Sequence, residues 1–175
     1  MTTVARKLFA LLLALSPLPA LAQPVPVTVE VSGNSALVRI GGSVAPLADL
    51  RLDFDDASGL SVASLGISAE LVNPGAANLL SRLPVGGSAL VPSELPLMIT
   101  IEPSTVGGLS FRRLVHVELH THALVYTAGS RYRLFKAPLD GAFRDVTQAV
   151  EPGSVRTRGT TGGFSQFLVA LDLRP

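Results

Sequence analysis

Apolar and polar residues alternate along much of the chain, which is the pattern of β-strands that bury one of their two faces. The alternation is clearest at Val27, Val29 and Val31, each of which is followed by a polar residue. Comparable segments follow at residues 36–40, 49–55, 60–73, 97–101, 114–126, 131–136, 143–146, 155–158 and 164–173. We therefore predict an all-β, antiparallel, two-sheet Ig-like β-sandwich of about nine or ten strands.

The first two strands carry the most specific local signal, because Gly33-Asn34 between them is typical of a two-residue hairpin turn. Counting outward from this turn predicts three apolar cross-strand pairs, Val31 with Ala36, Val29 with Val38 and Val27 with Ile40. Thr28 should then oppose Arg39 on the other side, so that one face of the hairpin is wholly apolar.

Residues 114–126 contain all three histidines of the protein and are predicted to form one long strand. One face of that strand would carry Val115, Val117, Leu119, Ala123 and Val125. The other would carry His116, Glu118, His120 and His122. A turn at Ala128-Gly129 is then expected to lead into a neighbouring strand over residues 131–136, which would place Arg131 and Arg133 beside the histidines.

Three other segments depart from simple alternation. Residues 75–82 are the one plausible helical turn. Residues 83–96, rich in proline and glycine, form the longest predicted loop, for which a binding loop and a disordered segment are equal alternatives. In the last predicted strand, residues 164–171 are apolar on both faces, which indicates a central strand.

The N-terminus has the features of an export signal. Arg6 and Lys7 precede an apolar run over residues 8–15, and Ala20-Leu21-Ala22 is a small-residue cleavage site, so we expect cleavage after Ala22. The apolar run is followed by Ser16, Pro17 and Pro19, and it is shorter than the ~20 residues that a membrane span requires. This predicts a secreted or periplasmic protein.

Cleavage would leave 153 of the 175 residues, enough for a single domain over residues 23–175. Removing Arg6 and Lys7 leaves 12 basic residues against 13 acidic ones, a formal charge of −1. A near-neutral chain lacks the electrostatic footprint that nucleic-acid binding requires. No cysteine is present, and after the signal no apolar run approaches membrane-spanning length.

The histidine-bearing strand is the candidate site for a metal. His120 and His122 are two residues apart on a strand and can converge on one ion, while Glu118 adds a carboxylate on the same face. Zinc or copper would be the expected cofactor, because imidazole nitrogen suits both ions. The alternative is that no metal binds and that this is an ordinary solvated strand face with Arg131 and Arg133 beside it.

Motifs of common enzyme classes are missing from the sequence. The chain has no Gly-x-Ser-x-Gly nucleophile elbow and no Gly-x-x-x-x-Gly-Lys phosphate loop. The one lysine after the signal, Lys136, lies in a predicted strand. We therefore expect no enzymatic activity and assign no catalytic residue.

Recognition of a protein partner is easier to reconcile with the composition than sugar binding. Sugar sites usually use exposed aromatic platforms, and the chain has no tryptophan. The positive charges are almost all arginine, which is enriched at protein interfaces. The candidate interface residues are Arg112, Arg113, Arg131, Arg133, Arg156 and Arg158.

Several motifs from residue 95 onward resemble an uncharacterised family of exported Gram-negative proteins. The resemblance rests on these segments: Gly107-Gly108-Leu109-Ser110-Phe111, Val117-Glu118-Leu119-His120-Thr121-His122, Arg133-Leu134-Phe135-Lys136-Ala137-Pro138-Leu139, Phe143-Arg144-Asp145-Val146-Thr147 and Gly163-Phe164-Ser165-Gln166-Phe167. The closing Phe-Ser-x-Phe strand is also similar to the end of many extracellular Ig-like sandwiches. The resemblance implies a β-sandwich and export but no site.

Taken together, the sequence favours an exported, non-catalytic binding or structural module of the cell envelope. Its partner would be an envelope protein or a glycan, in the periplasm or outside the cell. The alternative is a periplasmic zinc- or copper-binding protein that uses His120, His122 and Glu118.

Overall fold

A computed structural model describes residues 22–84, 88–104, 108–125, 127, 129–151, 156–161 and 165–174. The predicted signal, except for Ala22, lies outside these residues. They form fifteen strands and two short helices, which in chain order are β1 (Gln23–Val25), β2 (Val27–Ser32), β3 (Ser35–Gly41), β4 (Pro46–Phe54), β5 (Ala57–Ser58), α1 (Val62–Leu65), β6 (Ile67–Leu71), α2 (Ala77–Leu80), β7 (Ala89–Leu90), β8 (Leu97–Ile101), β9 (Ser110–Phe111), β10 (Val115–Thr121), β11 (Tyr132–Ala137), β12 (Arg144–Asp145), β13 (Thr147–Glu151), β14 (Arg156–Thr161) and β15 (Gln166–Asp172). Ten of these strands have five residues or more, in agreement with the predicted number.

Two antiparallel sheets pack against each other and confirm the predicted sandwich. The six-stranded sheet has the order β13-β14-β10-β4-β3-β2. The seven-stranded sheet has the order β1-β6-β8-β15-β11-β12, with β7 pairing additionally with β15. Strands β5 and β9 form a separate small sheet.

The predicted hairpin of β2 and β3 is confirmed in every pair. Val31 lies opposite Ala36, Val29 opposite Val38, Val27 opposite Ile40 and Thr28 opposite Arg39. Gly33 has a φ of 58°, whereas Asn34 does not adopt positive φ, so one residue of the turn provides the unusual conformation. Turn length and alternation together therefore set the register here.

The main core lies between the two sheets and contains the residues that alternation assigned to buried faces. From the six-stranded sheet come Ala36, Val38, Ile40, Ala48, Leu50, Leu52, Phe54, Val115, Val117 and Leu119. From the seven-stranded sheet come Ala69, Leu97, Ile99, Ile101, Leu134, Phe167 and Val169. Each such side chain of Val, Leu, Ile or Phe size stabilises the fold by roughly 1.5–3 kcal/mol through burial.

A second apolar cluster covers the outer face of the seven-stranded sheet. It consists of Leu79, Leu83, Ala89, Val91, Met98, Phe135, Ala137, Phe143, Leu168 and Ala170. Strand β15 is consequently buried on both faces, as predicted for a central strand, although Phe164 at the start of the predicted segment lies outside the described residues. Helix α2 confirms the predicted helical turn and contributes Leu79 to this layer.

The predicted long loop over residues 83–96 is not an open binding loop in its described part. Residues 89–90 form β7, which pairs with β15, and Val91 and Leu95 are buried. The proline-rich composition therefore reflects an irregular segment that packs onto the sandwich. Burial removes these apolar side chains from any external ligand.

The prediction that β10 and the strand after it form a hairpin is wrong. Strand β10 pairs with β4 and β14, whereas β11 belongs to the other sheet and pairs with β12 and β15. Arg131 and Arg133 therefore do not lie beside the histidines. The predicted strand is also too long, because β10 ends at Thr121, after which Leu124 is buried and Val125 is exposed.

The alternation over residues 60–73 conceals a helical turn as well as a strand. Helix α1 begins after Ser61, whose hydroxyl accepts a hydrogen bond from the Ser64 backbone, while the Ser64 hydroxyl accepts one from the Ser61 backbone. This reciprocal capping box replaces the missing helical partners at the first turn. Within the described part of the chain, no helix is long and apolar enough to cross a membrane.

Candidate functional site

The outer surface of the six-stranded sheet, which we call the charged face, carries side chains in rows that cross the strands. The first row consists of Thr28, Arg39, Asp49, His120, Arg156 and Glu151. The second row consists of Glu30, Leu37, Arg51, Glu118 and Arg158. The third row includes Ser35, Asp53 and His116. Because antiparallel register brings outward residues opposite each other, polar positions on separate strands become direct neighbours.

Glu118 lies at the centre of an arginine network. Its carboxylate is 3.0 Å from Arg156 Nη1 and 3.4 Å from Arg158 Nε, and Arg158 Nη1 is in turn 2.8 Å from a carboxylate oxygen of Glu151. These arginines come from β14, and neither was expected to be next to Glu118. The carboxylate that the sequence offered as a metal ligand is therefore held by two cations.

Strand β4 provides the opposite side of the network. Arg51 Nε lies 2.8 Å from an Asp53 carboxylate oxygen, and Arg39 Nε lies 3.6 Å from Asp49. Burial raises the pKa of Asp53, but hydrogen bonds from the Ser35 hydroxyl at 2.6 Å and from Arg51 outweigh it, and the net pKa lies below its ordinary value. The carboxylate is thus held in its charged form.

The three histidines have different surroundings. His122 Nε2 is 3.0 Å from an Asp49 carboxylate oxygen, and His116 Nε2 is 3.2 Å from Asp55. The rings of His120 and His122 have centroids 4.6 Å apart and meet edge to face. Burial lowers the pKa of His120, and the neighbouring His122 and Arg156 lower it further, so the neutral imidazole is favoured.

A shallow depression of about 310 Å³ lies over the middle of the charged face. It is lined by Leu37, Arg39, Asp49, Arg51, Glu118, His120 and Arg156. Three buried polar atoms at its border, namely Asp49 Oδ1, His120 Nδ1 and Arg156 Nε, have no hydrogen-bond partner within the described residues. The depression therefore combines cations, carboxylates, an imidazole and one apolar side chain within a small area.

The structure brings together only part of the predicted metal site. His120 and His122 are adjacent, whereas Glu118 is engaged by arginines, and Asp49 takes its place as the carboxylate beside the histidines. Among the described residues, no group of three or more His, Asp or Glu side chains is arranged to hold a metal ion. Sequence reasoning missed Asp49 because alternation shows that it faces outward on its strand but not that this strand lies next to β10.

The six candidate interface arginines do not form one surface. Arg156 and Arg158 lie on the charged face. Arg131 precedes β11 and Arg133 lies within it, in the other sheet, where Arg133 Nη1 donates to the backbone oxygen of Tyr132 at 2.9 Å. Arg112 and Arg113 are exposed between β9 and β10.

Comparison with known proteins identifies a family but no characterised relative. No curated protein and no solved structure matches the chain. The model of a family of unknown function, DUF6689, matches residues 9–175. Since this match spans nearly the whole chain, the protein belongs to the DUF6689 family of unknown function.

Proposed function

We propose that this protein is an exported, non-catalytic binding module of the cell envelope, which engages an envelope protein or a glycan through the charged face. One observation carries the proposal. The outer face of the seven-stranded sheet is covered by an apolar layer, whereas the outer face of the six-stranded sheet presents charged side chains around an open depression. An exposed, chemically varied sheet face of this kind suits recognition of a partner.

Export is supported by the relation between the sequence and the start of the fold. The basic, apolar and small-residue segments of a signal precede Gln23, and β1 begins at Gln23 and pairs with β6 from its first residue. Cleavage after Ala22 would therefore leave every described strand intact. Export from a Gram-negative cell, as the sequence resemblance implies, is part of this proposal.

The chemistry of the charged face suggests the character of its partner. Arginine forks provide several donors for carboxylate, hydroxyl or backbone oxygen atoms, and Leu37 adds an apolar contact with 38% of its surface exposed. Asp49 and Glu118 provide acceptors for partner donors in the same depression. A partner with mixed polar groups fits this surface better than a purely anionic one.

Recovery of partners from the envelope of the native host tests the proposal. We expect the protein to capture a reproducible partner, and we expect Arg156→Glu to abolish this capture because it reverses a charge in the depression. Arg131→Glu is the matched control, since Arg131 is an exposed arginine outside the charged face. Equal loss in both variants, or no captured protein or glycan, would argue against the proposal.

Zinc or copper binding is a second candidate, favoured by the adjacent rings of His120 and His122 with Asp49 beside them. Imidazole and carboxylate are ligands that Zn²⁺ and Cu²⁺ accept, but an ion would have to draw Asp49 and the two imidazoles together, because the described residues hold no ready group of three ligands. Calorimetric titration with either ion should show binding that His120→Ala/His122→Ala abolishes and that Glu118→Gln preserves. Absence of binding in the unmodified protein would remove this candidate.

A further inference from the structure

Strand β2 is an outer strand of the six-stranded sheet, and no strand among the described residues pairs with its outer edge. In its hairpin with β3, Ser32 and Ser35 flank the two-residue turn, so the hydrogen-bonded pairs fall on Ser32, Glu30 and Thr28. The backbone groups of the alternate residues, Val27, Val29 and Val31, point away from β3. They form a row of donors and acceptors along the edge.

The other outer strands of the two main sheets are protected in ways that β2 is not. Strand β13 contains an irregularity between Thr147 and Ala149, β12 has two residues, and β1 has three, of which Pro24 is one. Strand β2 has six residues, pairs with β3 without irregularity, and contains no proline, lysine or arginine. Bulges, short length, proline and basic residues are the usual protection of an exposed edge.

We propose that a second copy of this chain pairs with this edge, β2 against β2 in antiparallel orientation, about a two-fold axis at Val29. In this register Val29 opposes Val29, and Val27 opposes Val31 of the second copy. These are the residues whose backbone groups point outward, so each pair can exchange two hydrogen bonds. The two six-stranded sheets would become one continuous sheet with a symmetric interface.

The positions of the charged residues favour a second copy of this chain as the partner and favour this register. Glu30 is the acidic residue of the charged face for which no cation partner occurs among the described residues. With Val29 on the axis, Glu30 opposes Thr28 of the second copy, and Thr28 is paired with Arg39 on β3. The ion pair of Arg39 with Asp49 is long, at 3.6 Å, so the Arg39 guanidinium can turn toward the incoming carboxylate. A shift that placed Glu30 opposite Glu30 would set like charges against each other.

The inner face of the edge favours the same pairing. Val27, Val29 and Val31 are partly buried and pack at the margin of the main core. In the dimer they would meet the same valines of the second copy, so the apolar layer would continue across the two-fold axis. Burial of these valines would stabilise the dimer in addition to the backbone hydrogen bonds.

Sedimentation equilibrium of the chain from Gln23 to Pro175 tests the proposal through charge changes at exposed positions. Thr28→Glu should weaken the dimer about five- to tenfold, because two copies of a like-charge pair form across the axis, and Thr28→Lys should strengthen it. Glu30→Lys alone should also weaken it by bringing a cation near Arg39. The double variant Thr28→Glu/Glu30→Lys should restore dimerisation, since opposite charges again face each other.

Hydrogen exchange of the same samples shows whether β2 is the contact. The amides of Val27, Val29 and Val31 should be protected in concentrated samples and exchange faster on dilution, while the amides of β4 stay protected in both. A chain that remains monomeric at the highest attainable concentration would overturn the proposal. So would a dimer that ignores all the substitutions at positions 28 and 30, or capture of a foreign strand by a β2 edge that does not self-associate.

Discussion

The outer face of the seven-stranded sheet is covered by apolar side chains, whereas the outer face of the six-stranded sheet presents charged ones. On the seven-stranded sheet, α2 and the irregular segments around residues 83–84, 88–91 and 138–143 place an apolar layer over the strands. Arg82 ties that layer together, because its guanidinium donates to the Gly141 oxygen at 2.9 Å and to Gln166, and lies 4.7 Å from the centre of the Phe143 ring. On the six-stranded sheet, no comparable layer occurs among the described residues.

This difference indicates on which side chains the stability of the fold depends. A covered face loses packing whenever one of its side chains is truncated. Ion pairs between partly exposed groups, such as those of Glu118 with Arg156 and Arg158, typically contribute about 0–1 kcal/mol each. The charged face can therefore vary with little loss of stability, which leaves its residues available for recognition.

The largest expected effect comes from opening the covered face. Phe135 is 1% exposed within the outer apolar layer, and Phe135→Ala should lower the free energy of unfolding by about 3–5 kcal/mol through lost burial and a cavity. Leu37→Ala on the charged face should lower it by less than about 1 kcal/mol. Urea unfolding measures both, and equal effects would contradict the distinction between the two faces.

The next effect distinguishes an arginine within the covered apolar layer from one on the charged face. Arg82→Ala should destabilise the protein by about 1–3 kcal/mol, because it leaves the buried amide oxygen of Gln166 without this donor and removes the contact with Phe143. Arg51→Ala, on the charged face, should leave the thermal midpoint nearly unchanged. If Arg51→Ala proved the more damaging change, the charged face would be a structural element after all.

A smaller effect is expected from the centre of the arginine network. Glu118→Gln should lower the free energy of unfolding by less than about 1 kcal/mol at low salt, and the difference should shrink at high salt as screening weakens the ion pairs. Glu94→Gln is the control, since Glu94 is an exposed acid with no described ion pair. A large, salt-independent loss of unfolding free energy in Glu118→Gln would show instead that the ion pairs of Glu118 are effectively buried.

The smallest effect concerns His120. Burial, followed by the charges of His122 and Arg156, lowers its pKa from 6.5 against the opposing carboxylates of Asp49 and Glu118. The unfolded chain therefore takes up a proton at His120 at higher pH than the folded chain does. The contribution of the neutral His120 to the free energy of unfolding is fully present above pH 6.5 and is lost as the pH falls toward the folded pKa. NMR titration of the ring should give a pKa below 6.5 that rises in Arg156→Met. A pKa at or above 6.5 would contradict the structure.

Local rules predicted much of the fold. The pairs of the β2–β3 hairpin followed from a two-residue turn and period-two alternation, and the burial of both faces of β15 followed from its composition. Helix α1 was not predicted, because its four residues interrupt an alternating segment, although Ser61 and Ser64 carry a capping signal.

The neighbours of β10 could not be predicted from local rules. Sequence placed Arg133 beside the histidines by assuming that consecutive strands pair, whereas the chain crosses to the other sheet after β10. The true neighbours, Asp49 from β4 and Arg156 from β14, are distant in sequence. Which residues face outward was thus predictable, but which of them meet was not.

Site-specific photo-crosslinking in cells of the native host tests most directly whether the charged face is the binding surface. A crosslinking amino acid would replace Leu37, in the depression, or Leu139, which is 51% exposed and lies outside the charged face. We expect a discrete crosslinked partner from position 37 and none from position 139. A partner found only from position 139, or equally from both positions, would contradict the assignment of binding to the charged face.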